Sequence, residues 1–221
     1  MALWRSKRRK GGVFGTSLIV LVALLIVGYR LVDKVGQDKR PEERFSVIRV
    51  LDGDTAELTG GDRLRLLGID TPEAGEPLHD EARAFLTRLS LNQPCRVDYG
   101  NTRRDKYGRM LGYLYVDTIF VNRAIVSAGL AYVYLFSDND LKRAEISELL
   151  EAQRSAIAAH RGLWGLPHQP EPYYINPVGS FRLHRPNCGA LGPQKVGRYH
   201  TYSSREAGMS EGLSPCRTCK P

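Results

Sequence analysis

Three short runs carry side chains that could do chemistry together. Asp52-Gly53-Asp54-Thr55 falls between two strand-like stretches. Taken alone, Asp-Gly is a hairpin-turn pair and needs no chemical role. Arg65-Leu66-Leu67-Gly68-Ile69-Asp70-Thr71-Pro72-Glu73 is an apolar strand that opens with an arginine and ends in two acids. Those acids could simply be solvated, or they could converge with Asp54 and offer a hard cation several oxygen ligands. Arg103-Arg104-Asp105-Lys106-Tyr107-Gly108-Arg109 puts four cations near a strand start, where an exposed basic turn is the plain alternative. Together the runs fit phosphodiester cleavage. That reaction needs a metal on a phosphoryl oxygen, a base to activate water and cations to offset developing charge. Asp54 and Asp70 could hold the metal and Glu73 could be the base. Arg65 and Arg109 could clamp the phosphate, a task that bidentate guanidinium forks suit better than ammonium groups.

The surrounding pattern says what must position these groups. Phe45–Leu51, Thr55–Leu58 and Arg63–Ile69 are short β-rich runs separated by Asp-Gly and Gly-Gly turns, which reads as a meander. Ala82, Phe85, Leu86 and Leu89 recur at helical spacing within His79–Leu91. Cys95–Tyr99 and Met110–Val116 return to strand pattern. Val121–Ala128 reads as a short helix ended by Gly129, and Asn139–Arg161 as a long amphipathic helix ended at Gly162. Short strands with helices packed on them predict a small α+β domain built on a barrel. Cys95, within a strand pattern, is expected in the core.

The formal charge of +8 is concentrated at the two ends of the chain. Residues 1–44 hold 10 Lys/Arg against 4 Asp/Glu, and residues 171–221 hold 7 against 3. The middle, residues 45–170, holds 15 against 17. Any nucleic-acid binding by the middle must therefore rest on local clusters and metal, not on a global positive field. At the N-terminus, five cations between Arg5 and Lys10 precede Gly11–Tyr29, a run of 19 uncharged residues rich in Leu, Ile and Val. A spanning helix needs about 20 such residues, and the cations in front predict a cytoplasmic N-terminus with the rest of the chain outside. A cleaved signal peptide is the competing reading, although no Ala-x-Ala-like site follows Val27. The expected organisation is a basic N-terminus (1–12), a transmembrane signal-anchor helix (13–30), a linker (31–44), the barrel domain (45–166), a second linker (167–175) and a small C-terminal module (176–221).

The order of the motifs resembles the staphylococcal-type thermonuclease family. The similarity runs from about Phe45 to Gly165. It is carried by Asp-Gly-Asp-Thr, Arg-Leu-Leu-x-x-Asp-Thr-Pro-Glu and Asp-Lys-Tyr-Gly-Arg, then by Val121-Asn122-x-Ala124, Gly129-Leu130-Ala131 and Gly162-Leu163-Trp164. The resemblance implies a five-stranded OB-fold barrel with about three helices and hydrolysis of DNA and RNA, single-stranded or frayed. It implies calcium ligated by Asp54, Asp70 and the Thr71 carbonyl, with Asp52 just outside that shell. It gives Glu73 as general base, Arg65 and Arg109 as phosphate-binding arginines, and Lys106 and Tyr107 as contacts to a terminal phosphate. The base-stacking tyrosines are matched only loosely, by Tyr132 and Tyr134, and the loop after Glu73 is shorter than in the staphylococcal enzyme. The alternative is a surface barrel that binds nucleic acid without cutting it, but none of the five central residues is missing.

Near the C-terminus, His184-Arg185-Pro186-Asn187-Cys188 is followed after 27 residues by Cys216-Arg217-Thr218-Cys219. His184, Cys188, Cys216 and Cys219 make four ligands, enough to close a tetrahedral structural zinc site. The segment is poor in apolar residues, so a metal is a plausible source of its fold. A Cys216–Cys219 disulfide with Cys188 free is the alternative. The stretch from Asn176 to Pro221 resembles the zinc-binding domain of the Ada DNA-repair protein, through Phe181, Arg185-Pro186, Ser203-Ser204-Arg205-Glu206-Ala207 and Pro215-Cys216-x-x-Cys219. His184 replaces the cysteine that accepts methyl groups there, which argues against alkyl transfer. No protein partner is inferable.

Overall fold

The computed structural model describes residues 44–136, 141–191 and 198–221. The segment expected to cross a membrane lies outside the described residues. Among the described residues, no helix is long and apolar enough to cross a membrane.

Five strands close into a barrel. β1 (Arg44–Asp52), β2 (Thr55–Leu58) and β3 (Arg63–Leu66) form an antiparallel meander. β5 (Pro94–Arg104) pairs antiparallel with β1 and with β6 (Met110–Val116), and β3 pairs parallel with β6. The pairings return to their starting strand, so the ring leaves no long open edge, the liability of an open sheet. A short β7 (Ile119–Phe120) adds to the outer side of β6. The inward side chains are those with strand alternation in the sequence: Val47, Ala56, Leu58, Leu64, Leu66, Val97 and Leu114 are all buried. Cys95 is buried with them, as expected.

Three helices cover the barrel: α1 (His79–Ser90), α2 (Val121–Ser127) and α3 (Ala144–Ala158). α1 buries Ala82 and Leu86, α2 buries Val121, Ile125 and Val126, and α3 buries Ile146, Leu149 and Ala152. The loops after α2 and α3 meet at two glycines. The Leu163 N–H donates to the Gly129 carbonyl at 2.9 Å. A Cβ on Gly129 would lie 2.1 Å from the Arg161 carbonyl oxygen, and one on Gly162 would lie 2.3 Å from that of Gly129. Both glycines also have positive φ, so no other residue fits there without strain.

Two expected elements come out differently. The run Arg63–Ile69 is not one strand. β3 ends at Leu66, the chain turns at Leu67-Gly68, and Ile69–Asp70 forms β4, paired with β8 (Tyr132–Val133) outside the barrel. Gly68 at φ 76° permits the turn, and Asn122 holds it from below by donating to the Leu67 carbonyl at 2.8 Å. The last long helix starts at Ala144, later than the amphipathic pattern suggests. Arg143 precedes it in extended conformation, its guanidinium bound to Asp98 at 2.8 Å and to the Tyr99 carbonyl at 3.2 Å. A side chain tied to β5 keeps that residue out of helix geometry.

The C-terminal part is small and mixed. β9 (Tyr174–Pro177) pairs antiparallel with β11 (Tyr199–Tyr202), and β10 (Arg182–Leu183) pairs parallel with β12 (Ser214–Pro215). α4 (Arg205–Ser210) starts at Ser204, whose Oγ accepts from the Ala207 N–H at 3.1 Å. The part is not a detached bead. Tyr174, at the end of the stretch read as a linker, is buried. It joins Leu183, Met209 and Leu213 in one apolar cluster with Ala156 of α3 and with Trp164. Gln153, fully buried on α3, accepts from the Val133 N–H at 2.7 Å and donates to the Met209 carbonyl at 2.5 Å. One amide thus ties β8, α3 and the C-terminal part together.

Candidate active site

Asp54 is the buried centre of the site. It sits in the Gly53-Asp54 connection between β1 and β2, and only 5 % of it is exposed. The turn can lie this deep because Gly53 has no side chain: a Cβ there would approach the Ala82 Cβ to 2.7 Å and the Thr71 Oγ1 to 2.8 Å. The Asp54 carboxylate accepts from the Thr71 N–H and Thr71 Oγ1, both at 3.1 Å, and from Thr55 Oγ1 at 3.0 Å. It also meets Arg65 Nη2 at 3.0 Å. The same nitrogen donates to Asp70 Oδ1 at 2.7 Å, while Arg65 Nη1 donates to the Leu66 and Ile69 carbonyls at 2.9 Å. The guanidinium therefore spans the Leu67-Gly68 turn and draws Asp70 toward Asp54.

That proximity has an electrostatic consequence. Burial raises the Asp70 carboxyl above its ordinary range, and the Asp54 charge pushes the same way, while Arg65 and Arg217 pull it back. The two carboxylates share the Arg65 nitrogen, and Arg217 offsets the remaining negative charge; a hard cation held by the same oxygens would take over that role.

The other expected residues occupy the rest of the same cleft, about 740 Å³ in volume. Glu73 stands at its lip, well exposed, its N–H donating to Glu76 Oε2 at 2.9 Å. Lys106, Tyr107 and Arg109 come from the turn between β5 and β6. Arg109 pairs with Asp105 at 2.7 Å, and the Asp105 carboxylate also accepts from the Tyr107 and Arg109 N–H groups at 2.9 and 3.0 Å. Burial opposes ionisation of Asp105, but these bonds hold its carboxyl below the usual range. Tyr107 is 72 % exposed, with Lys106 and Arg109 over its ring at 5.0 and 5.6 Å. Asp52 stays apart from the Asp54 network, its Oδ1 accepting from the Gly53 N–H at 2.7 Å.

Four further residues belong to the site, of which only Tyr134 is matched in sequence, and loosely. His79, first residue of α1, places Nδ1 3.0 Å from the Pro72 carbonyl and 3.5 Å from Asp52, bracing the segment that carries Glu73. Tyr134 and Phe136 line the cleft together, ring centroids 6.3 Å apart, whereas Tyr132 turns away and packs edge-on against Trp164 at 5.4 Å. The loose tyrosine match resolves into Tyr134 and Phe136 on the cleft. Arg217 is the fourth, reaching Asp70 from the C-terminal part at 3.0 Å. A single arginine between two cysteines carries no such signal in sequence, because the contact spans 147 positions.

The second expected cluster also assembles. One ligand atom from each of His184, Cys188, Cys216 and Cys219 lies within 4.8 Å of the others. His184 Nδ1 is 3.5 Å from Cys188 Sγ, and Cys188 Sγ is 3.9 Å from Cys216 Sγ. The cysteines are free thiols, not bridged. Backbone N–H groups of Arg185 and Thr218 point at Cys219 and Cys216 sulfurs, at 3.3 and 3.4 Å. Burial, and then the Arg182 charge, lower the His184 pKa and favour the neutral imidazole a metal requires.

A closed barrel whose strand ends gather two carboxylates, a bridging arginine and a basic turn is a site built for phosphate chemistry on a nucleic-acid-binding scaffold. Residues 63–165 match the model of the family described as staphylococcal nuclease homologue. The chain is 31 % identical to a thermonuclease of Staphylococcus intermedius over 161 residues, 66 % of this chain and 94 % of that protein. It is 28 % identical to the thermonuclease of Staphylococcus hyicus over 162 residues, with the same shares covered. It is 37 % identical to an uncharacterized endonuclease of Escherichia coli O157:H7 over 133 residues, 58 % of this chain and 81 % of that one. The chain belongs to the staphylococcal nuclease homologue family.

Proposed function

We propose that this chain is a membrane-anchored nuclease that hydrolyses phosphodiester bonds of DNA and RNA with calcium, using Glu73 as general base and Arg65 and Arg109 as phosphate clamps. Its relatives are thermonucleases and endonucleases, and the chain itself is a nuclease, a phosphodiester hydrolase acting on nucleic acid. The observation that carries the finer reading is the shared Arg65 nitrogen. It holds Asp54 and Asp70 at 3.0 and 2.7 Å, so both carboxylates address one point.

The donor set fits a hard divalent cation, with Asp54, Asp70 and Thr71 as the residues to hold it. Calcium bound there supplies charge to a phosphoryl oxygen of the substrate. Arg65 on β3 and Arg109 just before the paired strand β6 both line the cleft and clamp the phosphate, with Lys106 and Tyr107 on its neighbour. Glu73, solvent-facing at the lip with Arg217 3.5 Å away, takes a proton from an incoming water. A positioned general base contributes typically 10²–10⁴-fold, and one electrostatic donor about 10²–10³-fold. The test measures cleavage of a single-stranded oligonucleotide by the full chain with calcium, with EGTA and as Glu73→Gln. Chelation abolishes cleavage and Glu73→Gln lowers kcat by about 10²–10⁴-fold. A Glu73→Gln chain that cuts at the wild-type rate refutes the assignment.

His184, Cys188, Cys216 and Cys219 are read as a structural zinc site in an Ada-like module. Tetrahedral coordination with Zn–S near 2.3 Å puts sulfurs about 3.8 Å apart, and the 3.9 Å between Cys188 and Cys216 supports that reading. Elemental analysis should find about one zinc per chain and none in Cys188→Ser. The uncharged run Gly11–Tyr29 behind five cations supports an anchor with the nuclease outside. Protease digestion of intact cells that spares residues 44–221 would overturn that placement.

A further inference from the structure

The knuckle Cys216-Arg217-Thr218-Cys219 brings a side chain into the nuclease cleft. Arg217 Nη2 donates to Asp70 Oδ1 and Oδ2 at 3.0 and 3.1 Å and stands 3.5 Å from Glu73 Oε1. Its guanidinium carbon lies 5.9 Å from the centroid of the Tyr134 ring, and Arg182 of the same C-terminal part covers that ring at 3.8 Å.

The base of this arm is fixed and its tip is not. The Cys216 N–H donates to the Leu183 carbonyl and the Lys220 N–H to the Cys216 carbonyl, both at 2.9 Å, so the backbone around Arg217 is pinned on either side. The C-terminal part is held to the barrel by Gln153, by the cluster around Trp164 and by Arg154 Nε donating to the Ser210 carbonyl at 3.0 Å. The Arg217 side chain, however, is 63 % exposed. Its partner Asp70 is only 18 % exposed, so the pair opens from the arginine end, where water and a stronger partner reach the guanidinium. With a cation held by Asp54 and Asp70, the guanidinium would be released from the carboxylate while still lining the cleft 3.5 Å from Glu73, free to meet a substrate phosphate.

Charge balance in the cleft points the same way. Its lining carries five carboxylates and five cations, and Arg217 is one of the five. Without it the carboxylates outnumber the cations by one; with it they are matched, so a bound divalent cation leaves the cleft with two positive charges instead of one and a stronger pull on a polyanion. Residues 45–170, which build the barrel, are net negative, whereas residues 171–221 carry 7 Lys/Arg against 3 Asp/Glu. A second groove of about 1000 Å³ between the barrel and the C-terminal part meets the cleft at Asp70, Glu73 and Arg217. Arg217 thus lines both the cleft and the adjoining groove.

We infer that Arg217 is a third phosphate-binding arginine of the nuclease cleft, delivered by the Cys-x-x-Cys knuckle, and that the C-terminal part thereby completes the substrate site. The inference rests on the reading of Asp54, Asp70 and Glu73 given above. The test uses the full chain with calcium and a single-stranded oligonucleotide. Arg217→Ala lowers kcat/KM by about 10- to 100-fold, as expected for loss of a charge-assisted hydrogen bond to phosphate. Binding is then measured in the Glu73→Gln background across salt concentrations. Removing one phosphate contact makes the slope of log affinity against log salt shallower by about 0.7 on single strands, and Arg217→Lys keeps it. Arg217→Gln gives the same reading if the alanine variant proves unstable. An unchanged slope refutes the phosphate contact, whatever happens to activity, and leaves Arg217 as a strut between two parts of the fold. Faster cleavage by Arg217→Ala also refutes it, because the contact with Asp70 is then inhibitory. Wild-type cleavage by Glu73→Gln alone would instead strike the underlying assignment, a separate result.

Discussion

Asn122 offers the sharpest stability test, because one buried side chain joins the barrel to the turn that aims Asp70. Its Oδ1 accepts from the Leu114 N–H of β6 at 2.9 Å, its Nδ2 donates to the Leu67 carbonyl at 2.8 Å, and the residue is fully buried. Asn122→Ala leaves both backbone groups without that partner in a site closed to water. An orphaned buried group costs about 1–3 kcal/mol, so the pair costs roughly 2–6 kcal/mol. In a domain of this size each kcal/mol lowers Tm by about 2–4 °C. A loss of about 4 kcal/mol therefore moves the midpoint by roughly 8–16 °C. Urea unfolding of the wild type and the variant, followed by circular dichroism, measures the difference directly. The slope should stay unchanged and the midpoint should fall. The variant should also need more calcium for half-maximal cleavage, because the Leu67-Gly68 turn that presents Asp70 is no longer held from below. A stability loss under about 1 kcal/mol at constant slope would refute the two-bond account.

Two further outcomes follow from ionisation. Hydrogen bonds from Arg143 at 2.8 and 3.2 Å hold the Glu145 carboxyl below its ordinary range, against the opposing effect of burial. A depressed carboxyl contributes stability that is present above its unfolded pKa and lost as pH falls through the folded value. Glu145→Gln should therefore flatten the acid limb of a stability profile taken from about pH 7 to pH 3, and equal acid sensitivity in both proteins would contradict this. Burial pushes the Cys95 thiol up to about 11. At pH 8 it should resist iodoacetamide in the native chain and react only on unfolding, with peptide mapping to follow it. Rapid native labelling would place it nearer the surface than the barrel wall.

Much of the nuclease site was legible in sequence because its parts are local. Asp-Gly-Asp-Thr is a hairpin connection whose glycine and carboxylates act within four residues, and Asp-Lys-Tyr-Gly-Arg is a turn whose own Asp105 holds Arg109. β-rich runs between turn signals foretold the barrel strands, helical spacing foretold α1, and the stop at Gly129 foretold the end of α2. The same logic misread Arg63–Ile69 as one strand. Apolar residues run on through Leu66-Leu67-Gly68-Ile69, and the packing of Gly68 against Leu149 and the bond from Asn122 show that the chain turns there.

By itself, the sequence determined which residues could do phosphate chemistry, which four could bind a metal, and that positive charge lies outside the barrel. Residue type and short spacing are enough for those conclusions. Tertiary structure alone decided which groups meet. Arg65 bridges Asp54 and Asp70 because the turn folds back, Phe136 and not Tyr132 faces the cleft, and Gln153 seats the C-terminal part on α3. Arg217 reaches Asp70 from 147 positions away for the same reason. Contacts of that range depend on how whole elements pack, and no local pattern encodes them.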